Sequence, residues 1–210
     1  NFSRKTYTLS ANVSGAGDVN GTQDLSHTYA HGDQAIFQAS PSPGWNFEHW
    51  TWSGTFPLTD LNQAALSLEV VGASAFTAHF IRNSYSLVVE KVENGDSNGS
   101  GLFPFDSNTT ITATPDYGYT FSHWSGNATV ILDANALITI VHMPEHNVTV
   151  TPVFSPIPHF LTATNAGQGN VTGTGSFPHA STVTMTALPN GSDAEAPRGY
   201  FFKQWDWNSS

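Results

Sequence analysis

The pattern Gly-aromatic-x-Phe-x-x-Trp occurs three times in this chain, and a chain that repeats itself folds as an array of similar units. The copies are Gly44-Trp45-Asn46-Phe47-Glu48-His49-Trp50, Gly118-Tyr119-Thr120-Phe121-Ser122-His123-Trp124 and Gly199-Tyr200-Phe201-Phe202-Lys203-Gln204-Trp205. The first two lie one period of 74 residues apart (positions 50 and 124). The Ala-x-Pro ahead of them keeps that period twice, at Ala39/Pro41, Ala113/Pro115 and Ala187/Pro189. The period divides the 210 residues into modules over 5–82, 83–156 and 157–210, the third stopping soon after its motif. A module of about 75 residues is near the lower limit for independent folding, where only about 60% of the chain's surface is buried. Each must use its few large aromatics well.

Between the motifs run short alternating segments. In the first module these are residues 7–13, 35–39, 66–70 and 76–80; in the second, 85–89, 110–113, 138–141 and 148–154. Period-two alternation divided by Gly and Pro predicts half-buried strands, so the expected class is mainly β, a tandem array of small β modules. Gly15, Gly17 and Gly21 read as one turn region and Gly95, Gly99 and Gly101 as another. Residues 59–65 alone have helical character, two turns at most. Ser155-Pro156-Ile157-Pro158 is a short, proline-stiffened linker that restricts how neighbouring modules are oriented.

Composition narrows the chemistry. Six Lys and Arg against sixteen Asp and Glu, a net charge of −10, cannot neutralise a phosphate backbone, which argues against nucleic acid. No stretch is apolar enough to span a bilayer, so no membrane insertion is expected of this segment. The absence of cysteine removes disulfides and thiolate sites. His27 and His31, like His142 and His146, are four apart, but in strand or turn contexts where that spacing does not bring rings together for a metal. Asn94-Gly95-Asp96-Ser97-Asn98-Gly99 lacks the acidic ligands of a calcium loop. No Gly-x-Ser-x-Gly elbow is present, and no carboxylate pair repeats between modules. The chain therefore reads as non-catalytic, with no cofactor and no metal.

Ala113, Pro115, Gly118, Tyr119, Phe121, Trp124, Ser125 and Gly126, followed by Met143-Pro144, Val148-Thr149-Val150 and Phe154, resemble the divergent internalin-type B-repeat family of bacterial surface proteins. The resemblance implies small modules related to a β-grasp sheet, strung along large secreted or wall-attached proteins. Its implied role is a spacer, stalk or adhesion region, extracellular, with neighbouring repeats as partners. The first module departs from the pattern: Trp52-Ser53-Gly54 is displaced two residues beyond Trp50, and Met-Pro is missing.

The aromatic motif admits two readings. In a regular strand, residues three apart face opposite sides, so Phe47 and Trp50, Phe121 and Trp124, or Phe202 and Trp205 share a core only if a bulge re-aims one of each pair. Alternatively the rings form a platform for polysaccharide, as an accessory region of a polysaccharide-active enzyme would need. Trp45, Tyr119 and Tyr200 then offer flat faces at one equivalent position, with Trp52 and Trp207 two residues past the motif tryptophan, and His49 and His123 as hydrogen-bonding partners.

Overall fold

A computed structural model describes residues 3–54, 56, 60–189 and 201–206. The first module consists of β1 (Thr6–Ser14), β2 (Gly17–Val19), β3 (Asp24–Ala30), β4 (Gln34–Pro41), β5 (Trp45–Gly54), β6 (Ala65–Glu69) and β7 (Ser74–Arg82). The second repeats them as β8 (Ser84–Val89), β9 (Gly95–Asn98), β10 (Gly101–Pro104), β11 (Asn108–Pro115), β12 (Tyr119–Gly126), β13 (Ile138–His142) and β14 (Val148–Pro156). The third contributes β15 (Pro158–Leu161), β16 (Gly169–Thr172), β17 (Gly175–Pro178) and β18 (Thr186–Pro189). The β-rich tandem architecture expected from the period is thus observed.

Each of the first two modules is a two-sheet sandwich. One sheet has the order β3-β1-β7-β5, repeated as β10-β8-β14-β12; the other is β2-β4-β6, repeated as β9-β11-β13. The first and last strands run parallel at the centre of the larger sheet, while its other pairs are antiparallel. Inward residues from both sheets make one core per module. In the first, Leu9, Ala11, Phe37, Leu66, Phe76 and Ala78 surround Trp50; in the second, Leu87, Ile111, Val141, Val148 and Val150 surround Trp124. The third module's strands form two interleaved antiparallel pairs, β15 with β17 and β16 with β18.

A bulge resolves the geometry of the motif. Phe47 lies opposite Phe80 and His49 opposite His79, so Glu48 is the extra residue; Ser122 is the extra residue between Phe121 and His123. The extra residue returns the tryptophan to the phenylalanine's face. Ring centroids of Phe47 and Trp50 are then 5.8 Å apart and those of Phe121 and Trp124 5.6 Å, while Phe202 and Trp205, which lie outside any strand, meet at 5.3 Å. Both central tryptophans are fully buried, and their indole N–H groups donate to crossover-loop carbonyls, Trp50 to Gln63 (3.0 Å) and Trp124 to Ala136 (2.9 Å). Their backbone N–H groups bond the same loops, at Leu61 and Ala134. One residue therefore fills the core and fastens the loop that crosses it, leaving no buried indole donor unpaired.

Two local expectations need correction. Of residues 59–65, Thr59 lies outside the described residues, 60–61 are irregular, 62–64 are bends and Ala65 already opens β6, so none is helical. Loop carbonyls there accept from Trp50, which competes with any helical turn. Gly101 is not a turn residue, since it starts β10, and neither are Gly17 and Gly95, which start β2 and β9. A Cβ at either would lie 2.5 Å from the ring of Phe80 or Phe154, so a glycine is needed beneath each module's closing phenylalanine.

Candidate functional site

The first half of the motif, glycine and its following aromatic, lies where modules meet. β7 ends at Arg82 and β8 begins at Ser84, so Asn83 alone links the first two modules. Its N–H donates to Gly44 O of the first module (2.8 Å), and its carbonyl accepts from Phe105 N–H of the second (2.7 Å). One period later Ile157 alone links β14 to β15, donating to Gly118 O (2.8 Å) and accepting from His179 N–H (2.9 Å). The stiff linker expected over residues 155–158 is mostly strand, and only Ile157 lies outside one.

The glycines are sockets. Gly44 has φ +77° and Gly118 φ +84°, and both are buried. A Cβ on Gly44 would stand 2.3 Å from the Phe105 ring, and one on Gly118 2.1 Å from the His179 ring. Phe105 and His179 are themselves 74 residues apart, so each joint seats a ring of the following module on the motif glycine of the preceding one.

The motif aromatics border these sockets. Trp45 is half-buried and lies 5.2 Å beneath the Arg82 guanidinium. Arg82 also reaches Phe105 O (3.5 Å) and the Asp106 carboxylate (3.9 Å), tying the modules together. Tyr119 is likewise half-buried, edge-on to His179 at 5.8 Å, and the more exposed Tyr117 meets the same ring at 5.5 Å.

The remaining candidates do not converge. Trp52 is 36% exposed, with its indole N–H on Phe56 O (3.0 Å); Gly126 holds the corresponding place two residues past Trp124. His49 stacks on His79 at 4.5 Å and pairs with Glu48 at 3.6 Å, whereas His123 bonds Ser122. Phe202 and Trp205 pack on each other with both rings partly open to solvent. Tyr200 and Trp207 lie outside the described residues. Of the histidine pairs, His27 meets Tyr29 and His31 meets Tyr7, while His142 bonds Asn108 and lies 3.3 Å from the Asp106 carboxylate. Among the described residues no three His, Cys, Asp or Glu side chains gather to hold a metal, and no helix is long and apolar enough to cross a membrane.

The sequence model of the divergent InlB B-repeat domain matches residues 7–84 and again 85–158. The chain belongs to that family. Its two matched B-repeats meet between positions 84 and 85, within two residues of the Asn83 joint. No curated protein and no solved structure matches the chain. The joint residues of these B-repeats, Asn83, Phe105, Ile157 and His179, escape sequence reasoning because two different rings and two different linker residues occupy equivalent places. The period of 74 between them is the signal that would have found them.

Proposed function

We propose that this region is a non-catalytic, stiffly jointed spacer in an extracellular bacterial surface or secreted protein, setting a more active domain at a distance. The joint carries the reading: a one-residue linker with both backbone groups bonded, made twice in the same way. A flexible tether would leave such groups to water; here each linker residue is hydrogen-bonded through its backbone to the module on either side. Family membership supports a surface repeat module. The half-buried placement of Trp45 and Tyr119 favours joints over a solvent-facing row of rings.

The chain lacks cysteine, so Ser26→Cys with Thr110→Cys places two unique, exposed spin labels on adjacent modules. Pulsed dipolar spectroscopy should return one narrow distance distribution, unchanged by soluble polysaccharides. A broad distribution would sink the spacer. A glycan that protects Trp52 from acrylamide quenching would move the assignment to carbohydrate binding.

A further inference from the structure

We propose that His159 and His179 form a site for a divalent transition ion of the kind imidazole favours (zinc, copper or nickel) beside the second joint. Nε2 of His159 and Nδ1 of His179 stand 3.2 Å apart. Two nitrogens held at 2.0–2.1 Å by one tetrahedral ion are separated by about 3.3 Å, and a cis pair on a square plane by about 2.9 Å. The observed separation falls between these. Their rings are inclined at 50° rather than stacked, with the facing nitrogens in hydrogen-bonding reach, as two imidazoles sharing one ion require. The other close pair, His49 and His79, fails this requirement: its rings are stacked within 10° of parallel, and His79 Nε2 is 2.8 Å from the Thr51 hydroxyl.

The repeat itself supplies the control. His159 faces Phe177 across its strand pair as Tyr85 faces Phe103 and Tyr7 faces Tyr29. His179 stands one period after Phe105 and two after His31. The same two positions therefore hold Tyr7 and His31 in the first module, Tyr85 and Phe105 in the second, and two histidines only in the third. Carbon rings suffice for packing at the first joint. Replacing both by imidazole adds two ring nitrogens at coordinating distance, which packing does not require.

Access and preorganisation also suit binding. His159 is exposed, so an ion can reach it, whereas His179 is half-buried and held by Gly118, Tyr117 and Tyr119. With two protein ligands the remaining positions go to water, which sets a modest affinity and leaves exchange fast. The bound ion would tie β15 to the turn after β17 and hold the His179 ring in its socket.

The test is titration of the whole chain with Cu²⁺, read by electron paramagnetic resonance, and with Zn²⁺ by calorimetry. One ion per chain with two-nitrogen hyperfine structure is expected. His159→Tyr and His179→Phe, which restore the second module's residues, should each weaken binding by at least the roughly 10–100-fold seen when a metal's supporting partners are lost. The double variant His49→Gln/His79→Gln should bind as the parent does. Circular dichroism checks that each variant is folded. Binding unchanged in both single variants, lost equally in the double variant, or absent at millimolar ion overturns the proposal and leaves a hydrogen bond between two rings.

Discussion

The two joints share a backbone and differ in what fills it. At the first, an apolar ring, Phe105, sits on Gly44, and Arg82 bridges the modules through Trp45, the Phe105 carbonyl and Asp106. At the second, His179 sits on Gly118 among Tyr117, Tyr119 and His159, and Pro156 stands where Arg82 stood one period earlier. Placement is a property of the backbone hydrogen bonds of Asn83 and Ile157, which are the same at both joints whatever the side chains. The means of fastening is local: a cation over an aromatic face, with a partly exposed ion pair that contributes little, against a cluster of rings. An array built this way keeps its geometry while each joint acquires its own chemistry.

Removing a core separates the joints most strongly. Truncating a buried tryptophan costs roughly 3–5 kcal/mol, against a module stability of about 4–11 kcal/mol. Trp50→Ala should unfold the first module in mild denaturant and take the first joint with it, while the second joint persists. Trp124→Ala should lose both, because the second module carries the ring of one joint and the socket of the other. Urea melts followed by amide exchange at Asn83 and Ile157 distinguish these outcomes. Equal protection of Ile157 in the two variants would contradict the assignment.

The sockets come next in size. Gly44→Ala and Gly118→Ala impose a positive φ on alanine, about 1–2 kcal/mol, and push a Cβ into the facing ring. Each should open its own joint and leave the other closed, seen as broadening of one inter-module distance. Adding His179→Gly to Gly118→Ala should relieve the clash but not the backbone strain, so recovery should be partial. Full recovery would show that the left-handed turn at Gly118 carries no cost.

The fold was largely legible because its signal is periodic. Alternation at 7–13 and 76–80 marks strands, and Phe47 and Trp50 three residues apart demand a bulge or a split between faces. What escaped was set by tertiary contact. Gly17 and Gly95 resemble turn glycines until the rings of Phe80 and Phe154 are placed above them. Residues 60–65 look weakly helical until Trp50 claims the carbonyls of Leu61 and Gln63. The joints were hidden for a different reason: their bonds are made by backbone, which sequence does not label, and Trp45 and Tyr119 looked available to a ligand because no neighbour had yet been set beside them.

The smallest effect lies away from the joints, on a pair of edge strands whose carboxylates have diverged. Asp18 follows Gly17 in β2, and its side chain accepts from Gly21 N–H (2.8 Å); Asp96 follows Gly95 in β9 and accepts from Ser97 N–H (2.8 Å), with Lys91 Nζ 3.5 Å away. The Ser97 backbone bond first, and the Lys91 charge second, hold the Asp96 carboxyl below its ordinary value of 3.8. A carboxylate whose folded pKa is depressed stabilises the folded state above its unfolded pKa of about 3.9 and loses that contribution as pH falls through the folded value. The dependence is therefore confined to the acid limb, below about pH 4, and it is slight because the side chain is largely exposed to solvent. Asp96→Asn should flatten that limb without moving the stability plateau at neutral pH. Lys91→Met should raise the Asp96 titration midpoint, followed by its carboxyl carbon shift, only part of the way back. A complete return would mean that the lysine, and not the strand's own N–H, holds the charge.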